Sequence, residues 1–105
     1  MTEKLRLGLA AIQQQMRELD EIAKKTTEDL NTVAGTERVT KWKARTAAML
    51  SQALGEHEGK AFARQQPGPS FTNDLFEEFT DIVDYYRSAL RTMSKKLESS
   101  IPKTS

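Results

Sequence analysis

The chain has 105 residues, of which 37% are hydrophobic and 30% are charged, a size and composition that suit one domain with a modest core. It contains no cysteine and one histidine, which excludes disulfide bonds, thiolate metal sites, cysteine nucleophiles and any site built from two histidines. Its formal net charge of +1 at pH 7 gives no overall attraction to nucleic acid or to a lipid surface.

A long amphipathic helix is predicted over about residues 3–34. Apolar side chains recur there at alternating steps of four and three, the spacing that places them on one face of a helix. This first stripe, which has one polar member, consists of Leu5, Leu9, Ile12, Met16, Leu19, Ala23, Thr26, Leu30 and Val33. Gly35 supplies a left-handed stop. Thr26 is interpreted as a tolerated polar residue.

A second helix is predicted over about 37–54, with Thr36 as its N-cap, and the short turn before it folds it back antiparallel on the first. One face carries Val39, Trp42, Thr46, Met49 or Leu50, and Ala53. A short helix over 57–64 follows. Residues 65–70 are predicted to form a loop, because two prolines flank a glycine there.

The last helix is predicted over about 74–98 from a second run with nearly the same spacing. Its members are Leu75, Phe79, Ile82, Tyr86, Ala89, Met93 and Leu97. The sequence therefore predicts an all-α fold, a small antiparallel three- to four-helix bundle with two long amphipathic helices. The bundle is expected over residues 1–101, and residues 102–105 are expected to be a frayed tail.

Charge is unevenly distributed in the last third of the chain: residues 72–86 carry five acids and no base, and residues 87–105 carry five bases and one acid. The acids are Asp74, Glu77, Glu78, Asp81 and Asp84, and the bases are Arg87, Arg91, Lys95, Lys96 and Lys103. This arrangement complements the helix dipole, so it has a role in stability without any ligand. In an up-down-up bundle the start of the second helix and the end of the last one meet. That topology predicts a basic end, with Arg38, Lys41, Arg91, Lys95 and Lys96, opposite an acidic end with Asp74, Glu77 and Glu78.

Nucleic-acid binding is one interpretation of the basic residues. Its candidate contacts are Arg38, Lys41, Arg45, Arg91 and Lys95. Bases that surround an aromatic residue, as those of the second helix surround Trp42, are typical of such surfaces. However, Trp42 also fits the apolar face of its helix, and the net charge is close to zero.

Two places in the sequence invite a catalytic or metal-binding interpretation. His57 lies between Glu56 and Glu58, where adjacent side chains point in different directions, so a surface or capping role is preferred. Glu77 and Asp81 have the helical spacing of paired carboxylates, which bind divalent ions or transfer protons. Such sites need desolvation or ligands from another helix. A solvated face is the preferred interpretation, and the sequence predicts no enzyme, no metal and no cofactor.

A partner surface is predicted on the last helix. If neighbouring helices cover only one side of it, Tyr85 forms an exposed apolar patch with Phe76 or Val83. Exposed apolar patches mark protein–protein contacts. The predicted partner-binding residues are therefore Phe76, Val83 and Tyr85, and the partner is another protein or a second copy of the chain.

Residues 40–64 resemble a helical region of bacterial defence proteins. The similarity comprises Trp42-Lys43-Ala44-Arg45-Thr46, the pair Met49-Leu50, the corner Leu54-Gly55 and the later Phe62. In those proteins such a region precedes TIR-like, nucleotide-sensing or other effector domains. Leu54 departs from the pattern, which has phenylalanine before the glycine. The resemblance implies an accessory bundle that oligomerises or senses a partner, without the effector domain's catalytic residues.

The start of the chain bears on localisation. Residues 1–11 lack the pattern of a cleavable signal peptide, and no run of about 20 apolar residues occurs anywhere. These features predict a cytoplasmic protein without a membrane partner. The function predicted first is a non-enzymatic helical module that holds a partner or self-associates through the stripes of its long helices. The alternative is a nucleic-acid-binding regulator that uses the basic end of the bundle.

Overall fold

A computed structural model describes residues 2–100, and within that range it contains four helices and no strand. The helices are α1 (Thr2–Asp29), α2 (Thr32–Leu54), α3 (Glu56–Ala63) and α4 (Leu75–Ser100). The prediction of a small all-α bundle is confirmed. The predicted tail, residues 102–105, lies outside the described residues.

Helices α1 and α2 are antiparallel neighbours. Gly8, near the start of α1, lies against Leu54 at the end of α2. Further along, Trp42 Nε1 donates a hydrogen bond of 2.9 Å to the backbone oxygen of Gln15. Helices α1 and α2 are therefore in contact along much of α1, through a face that includes Gly8 and Gln15, which are not members of the predicted stripe.

Helix α4 is antiparallel to α1 and consequently parallel to α2. Near the middle of α1, Arg87 Nε donates to Asp20 Oδ1 at 3.0 Å. Near the end of α1, the side chains of Thr26 and Phe79 both lie against Gly35 of α2. The starts of α2 and α4 thus lie at the same end of the molecule, which we call the turn end because the α1–α2 turn is there.

The short helix α3 and the loop of residues 64–74 explain this topology. Gly59 of α3 faces Ser51 near the end of α2, and Phe62 then packs against Trp42. The chain therefore retraces α2 before α4 begins beside the α1–α2 turn. The predicted up-down-up order is wrong, because α3 and its loop make the return that was assigned to the last long helix.

The core consists of ten buried hydrophobic residues from all four helices. They are Ile12, Leu19, Val39, Trp42, Leu50, Phe62, Phe79, Val83, Tyr86 and Leu90. Trp42, Phe62 and Tyr86 form an aromatic cluster in which the ring centroids lie 5.9–6.0 Å apart. Each such pair stabilises the fold by about 0.5–1.5 kcal/mol beyond its buried area. This cluster joins α3 to α2 and α4.

The boundary between the first two helices differs from the prediction. Helix α1 ends at Asp29, and Leu30 adopts a left-handed conformation with φ of 54°. Asn31 then caps α2, because its side chain accepts a hydrogen bond of 3.0 Å from the backbone N–H of Ala34. Asparagine is among the preferred N-caps, and it starts the new helix five residues before the predicted cap at Thr36.

Gly35 is therefore part of α2 and does not stop α1. A Cβ at this position would lie 2.6 Å from Thr26 Oγ1 and 2.9 Å from Phe79 Cε1. The glycine allows α1, α2 and α4 to approach closely. Thr26 is fully buried at this contact, and its hydroxyl donates to the backbone oxygen of Ile22 at 2.9 Å, so its burial leaves no unpaired donor.

A second buried polar contact lies between α1 and α2. Gln15 is buried, and its Oε1 accepts a hydrogen bond of 2.8 Å from Thr46 Oγ1. Its Nε2 donates to Glu18 Oε2, also at 2.8 Å. Because a shift of either helix would leave these groups unpaired, the network fixes the register of the pair.

Candidate functional site

Large exposed apolar side chains are concentrated at the turn end. Leu30, Val33 and Leu75 are 71%, 69% and 65% exposed, and we call them the turn-end cluster. Phe71, in the loop that leads into α4, is 97% exposed. The only other large hydrophobic residue of this exposure in the described chain is Leu7 of α1. An apolar group of this kind on a small domain is typical of a binding surface.

The backbone at Leu30 adds to this observation. A left-handed conformation costs roughly 1–2 kcal/mol for a residue with a Cβ, so glycine or asparagine is usual there. Leu30 neither relieves that strain nor fills the core, since its side chain is mostly in solvent. An exposed leucine under backbone strain points to a role in binding.

Val33 and Leu75 form two sides of an open groove between α2 and α4. The other residues that line this open groove are Thr32, Thr36, Glu37, Glu78, Phe79 and Ile82. Its volume of about 320 Å³ is at the lower limit for small-molecule pockets, and it suits a few apolar side chains of a partner. Helices α2 and α4 contact each other less than either contacts α1, and Phe79 bridges them in the groove, where its ring lies against Gly35.

The rest of the seam between α2 and α4 is covered in part. Phe62 of α3 fills it beside Trp42, and Pro67 of the following loop lies near Thr36 and Tyr86. The loop is anchored there by Gln65, whose Oε1 accepts a hydrogen bond of 2.8 Å from the Tyr85 hydroxyl. A second depression of about 310 Å³ remains beside Pro67, next to the open groove.

Carboxylates border the open groove. Glu37 and Glu78 belong to its lining, which is fully within the described chain and includes no basic residue. Asp81 lines the next depression along α4, together with Glu78. Among residues 2–100, none of these three carboxylates forms an ion pair within 4 Å. The groove therefore has an apolar floor and an acidic rim.

The predicted partner patch on α4 is not present. Val83 is only 2% exposed and belongs to the core, so its assignment to a surface is wrong. Phe76 and Tyr85 are half-buried, and the ring of Tyr85 lies edge-on to Tyr86 with centroids 5.3 Å apart. The prediction fails because Val83 lies on the buried face of α4 with Phe79 and Leu90, and because the loop of residues 64–74 contacts Tyr85 through Gln65.

The predicted basic end is not present either. Arg38 pairs with Asp29 at 3.5 Å, and Arg45 lies 3.7 Å from Glu18. Both arginines of α2 therefore point towards acidic residues of α1. Lys41 is exposed between them.

The remaining predicted bases, Arg91 and Lys95, are exposed on the second half of α4, which points away from the turn end. The parallel course of α2 and α4 separates them from Arg38 by many residues of helix. For the same reason the acids at the start of α4, Glu77 and Glu78, lie beside the start of α2 and not at the opposite end.

The candidate catalytic positions named from the sequence do not form an assembled site in the described residues. His57 is exposed in the first turn of α3. Within residues 2–100 there is no group of three or more His, Cys, Asp or Glu side chains placed to hold a metal ion. Among the described helices, none combines the length and the apolar character needed to cross a lipid bilayer.

Sequence reasoning missed all three residues of the turn-end cluster, because it assigned Leu30 and Val33 to the buried stripe of the first helix and Leu75 to that of the last. The available signal was Asn31, a preferred N-cap followed by Thr32, which indicates a new helix inside the apolar pattern.

Comparisons with protein-family models, curated proteins and solved structures find no match to this chain. The residues that carried the resemblance, including Trp42, Leu50 and Phe62, are buried core residues.

Proposed function

We propose that this chain is a protein–protein interaction module that holds a partner at the turn end, over the open groove. The observation that supports this function most directly is the turn-end cluster of three leucine and valine side chains, each exposed by 65% or more. Burial of such side chains against a partner contributes about 25 cal/mol for every Å² of apolar surface removed from water.

The long stripes, which the sequence favoured as the partner surface, serve a different purpose. Ile12 and Leu19 of α1 and Leu90 of α4 are fully buried within a single chain. A partner has no access to them without unfolding the bundle. The proposed interaction is therefore made by the turn end and not by the sides of the long helices.

The alternative function, nucleic-acid binding, requires its bases on one surface, and Arg38 and Arg45 are instead paired with acids of α1. We do not propose it. The place of the module in a bacterial defence system rests on the resemblance of residues 40–64 and stays a prediction.

Site-specific photo-crosslinking in the native cells tests the proposed function. A photoreactive amino acid replaces Val33 or Leu75 in two variants, and Ala48 or Thr92 in two controls that are also exposed on α2 and α4. We expect the same discrete adduct from positions 33 and 75, and none from the controls. Equal adducts from all four positions, or none from positions 33 and 75, would contradict the function.

A further inference from the structure

We infer that the open groove takes the apolar face of a basic amphipathic helix of a partner protein. This inference rests on the proposed function and specifies its partner. It is carried by three observations: the shape of the groove, the sign of its rim and the direction in which the neighbouring bases point.

The shape of the groove is that of an incomplete helix-packing site. Three long helices surround the core, and the position between α2 and α4 is occupied only in part by α3, which has 8 residues against 23 in α2. At about 1.5 Å per residue, α3 is roughly 12 Å long. The unfilled length beside Val33 and Leu75 is an apolar depression, and depressions of this kind receive the i, i+3 and i+4 side chains of a docked helix.

The rim gives the sign of the partner's charge. Glu37, Glu78 and Asp81 form no ion pair with any base of residues 2–100, so their charge is not neutralised within the described chain. Complementary charges at the rim of an interface accelerate association and select the partner. A helix with lysine or arginine beside its apolar face supplies them.

Among the described residues, the nearby bases form no ion pair with the rim, including Lys41, which follows Glu37 by one helical turn on α2. Arg38 and Arg45 pair with α1, on the side of α2 away from the groove. Lys43 donates to the backbone oxygen of Gln65 and lies 5.2 Å from the centre of the Tyr86 ring. These contacts leave the acidic rim available to an external base.

A second copy of the chain is a poorer occupant. In a two-fold symmetric dimer the same surfaces face each other, so Glu37 and Glu78 would approach the same residues of the partner copy. Like charges placed together across an interface oppose association. The rim therefore favours a basic partner over self-association through the turn end.

The test uses three labelled helical peptides of about 18 residues, long enough to retain helicity when stabilised by a side-chain staple. The first has a leucine face bordered by lysine and arginine, and the second has the same face bordered by glutamate. The third has the composition of the first in an order that destroys the apolar face. Binding to the full chain is measured by fluorescence anisotropy at about 50 and 500 mM salt, since salt screens exposed charges.

We expect the first peptide to bind at least about tenfold more tightly than either other peptide at low salt, and to lose much of this advantage at high salt. The double variant E37K/E78K should weaken its binding by about tenfold or more. The matched control, E56K/E58K, reverses two carboxylates of α3 and should leave the affinity unchanged. Because all four glutamates are at least partly exposed, the variants are expected to fold, which circular dichroism checks.

Equal affinity for the basic and acidic peptides, no binding of the basic peptide, no effect of E37K/E78K, or a dimer that excludes the peptide would each overturn the inference. These outcomes are distinguishable from failure of the proposed function. If Val33 and Leu75 still crosslink to one protein while the basic peptide does not bind, the interaction module survives and the chemistry assigned to its partner is wrong.

Discussion

At the scale of single residues, Gly35 controls how closely three helices approach. We expect G35A to lower the free energy of unfolding by about 1–2 kcal/mol, because overpacking outweighs the gain in helix propensity. The added Cβ would meet Thr26 and Phe79 at less than 3.0 Å. Urea unfolding followed by the fluorescence of Trp42, which is fully buried, measures the change.

Two control experiments test whether the close contact of the added Cβ causes this loss of stability. Gly68 has open space around it, so G68A should change stability by less than about 0.5 kcal/mol. T26A should destabilise G35A less than it destabilises the original chain, since it removes the atoms that the new Cβ meets. If T26A has the same effect in both backgrounds, the close contact is not the cause.

We expect the leucine at position 30 to lower the stability of the fold and to strengthen binding of the partner. We predict that L30G raises the free energy of unfolding by about 0.5–1 kcal/mol, because glycine adopts the left-handed conformation without strain. The same change should weaken crosslinking at position 33, because part of the turn-end cluster is lost. Thermal and urea unfolding measure the first effect, and adduct yield measures the second.

Leu7 provides the matched control for that change. It is similarly exposed but lies within α1, where glycine is unfavourable, so L7G should lower stability by about 1 kcal/mol. Opposite signs for the two leucine-to-glycine changes would establish that strain at Leu30 is real. A loss of stability in both would refute it.

At the scale of elements, α3 is held chiefly by Phe62. We expect F62A to lower the free energy of unfolding by about 3–5 kcal/mol, the usual cost of removing a buried phenylalanine. Since its ring contacts Trp42 and Tyr86, the near-ultraviolet circular dichroism of the aromatic cluster should weaken as well. Hydrogen exchange should show the amides of α3 opening before those of α1. Unchanged protection of α3 would contradict this role.

The fold class was predictable because helical periodicity needs only local information. The spacing from Leu5 to Ala23 and from Phe79 to Leu97 indicates a helix whatever it packs against. The end of α1 was not predictable from periodicity alone, because Leu30 continues the apolar rhythm after the helix has ended. The competing N-cap at Asn31 decided the boundary.

The candidate site could be predicted far less well. Its two sides, Val33 and Leu75, are 42 positions apart in sequence, and they meet only because α3 and its loop return the chain to the turn end. The sequence of residues 64–74 does not by itself indicate how far along the bundle the loop extends before α4 begins. The same missing information produced the predicted basic end, which depended on the direction of α4.

At the scale of the whole molecule, the bundle is elongated. It measures 49 × 24 × 21 Å and has a radius of gyration of 14.8 Å, compared with about 13 Å for a compact domain of about 100 residues. The buried stripes are satisfied within one chain. Their burial leaves the turn end, with its exposed Leu30, Val33 and Leu75, as the described surface that differs most from an ordinary solvated exterior.

We therefore expect the isolated chain to be monomeric. Light scattering on a sizing column, at several protein concentrations and two salt levels, should give the monomer mass of 11.9 kDa throughout. The acidic rim disfavours a symmetric dimer at low salt, where repulsion is least screened. A discrete dimer at micromolar concentration would restore self-association as the leading function.

The exposed loop of residues 64–74 makes the molecule divisible. It connects α3 to α4 across the surface, and most of its residues lie in solvent, so a cut there removes few contacts. A fragment with α1 to α3 and a separate fragment with α4 should recombine, because Phe79, Val83 and Leu90 supply a continuous recognition face. Circular dichroism of the mixture should then exceed the sum of the separate fragments. If the fragments recombine in this way, the last helix acts as a ligand for the rest of its own chain.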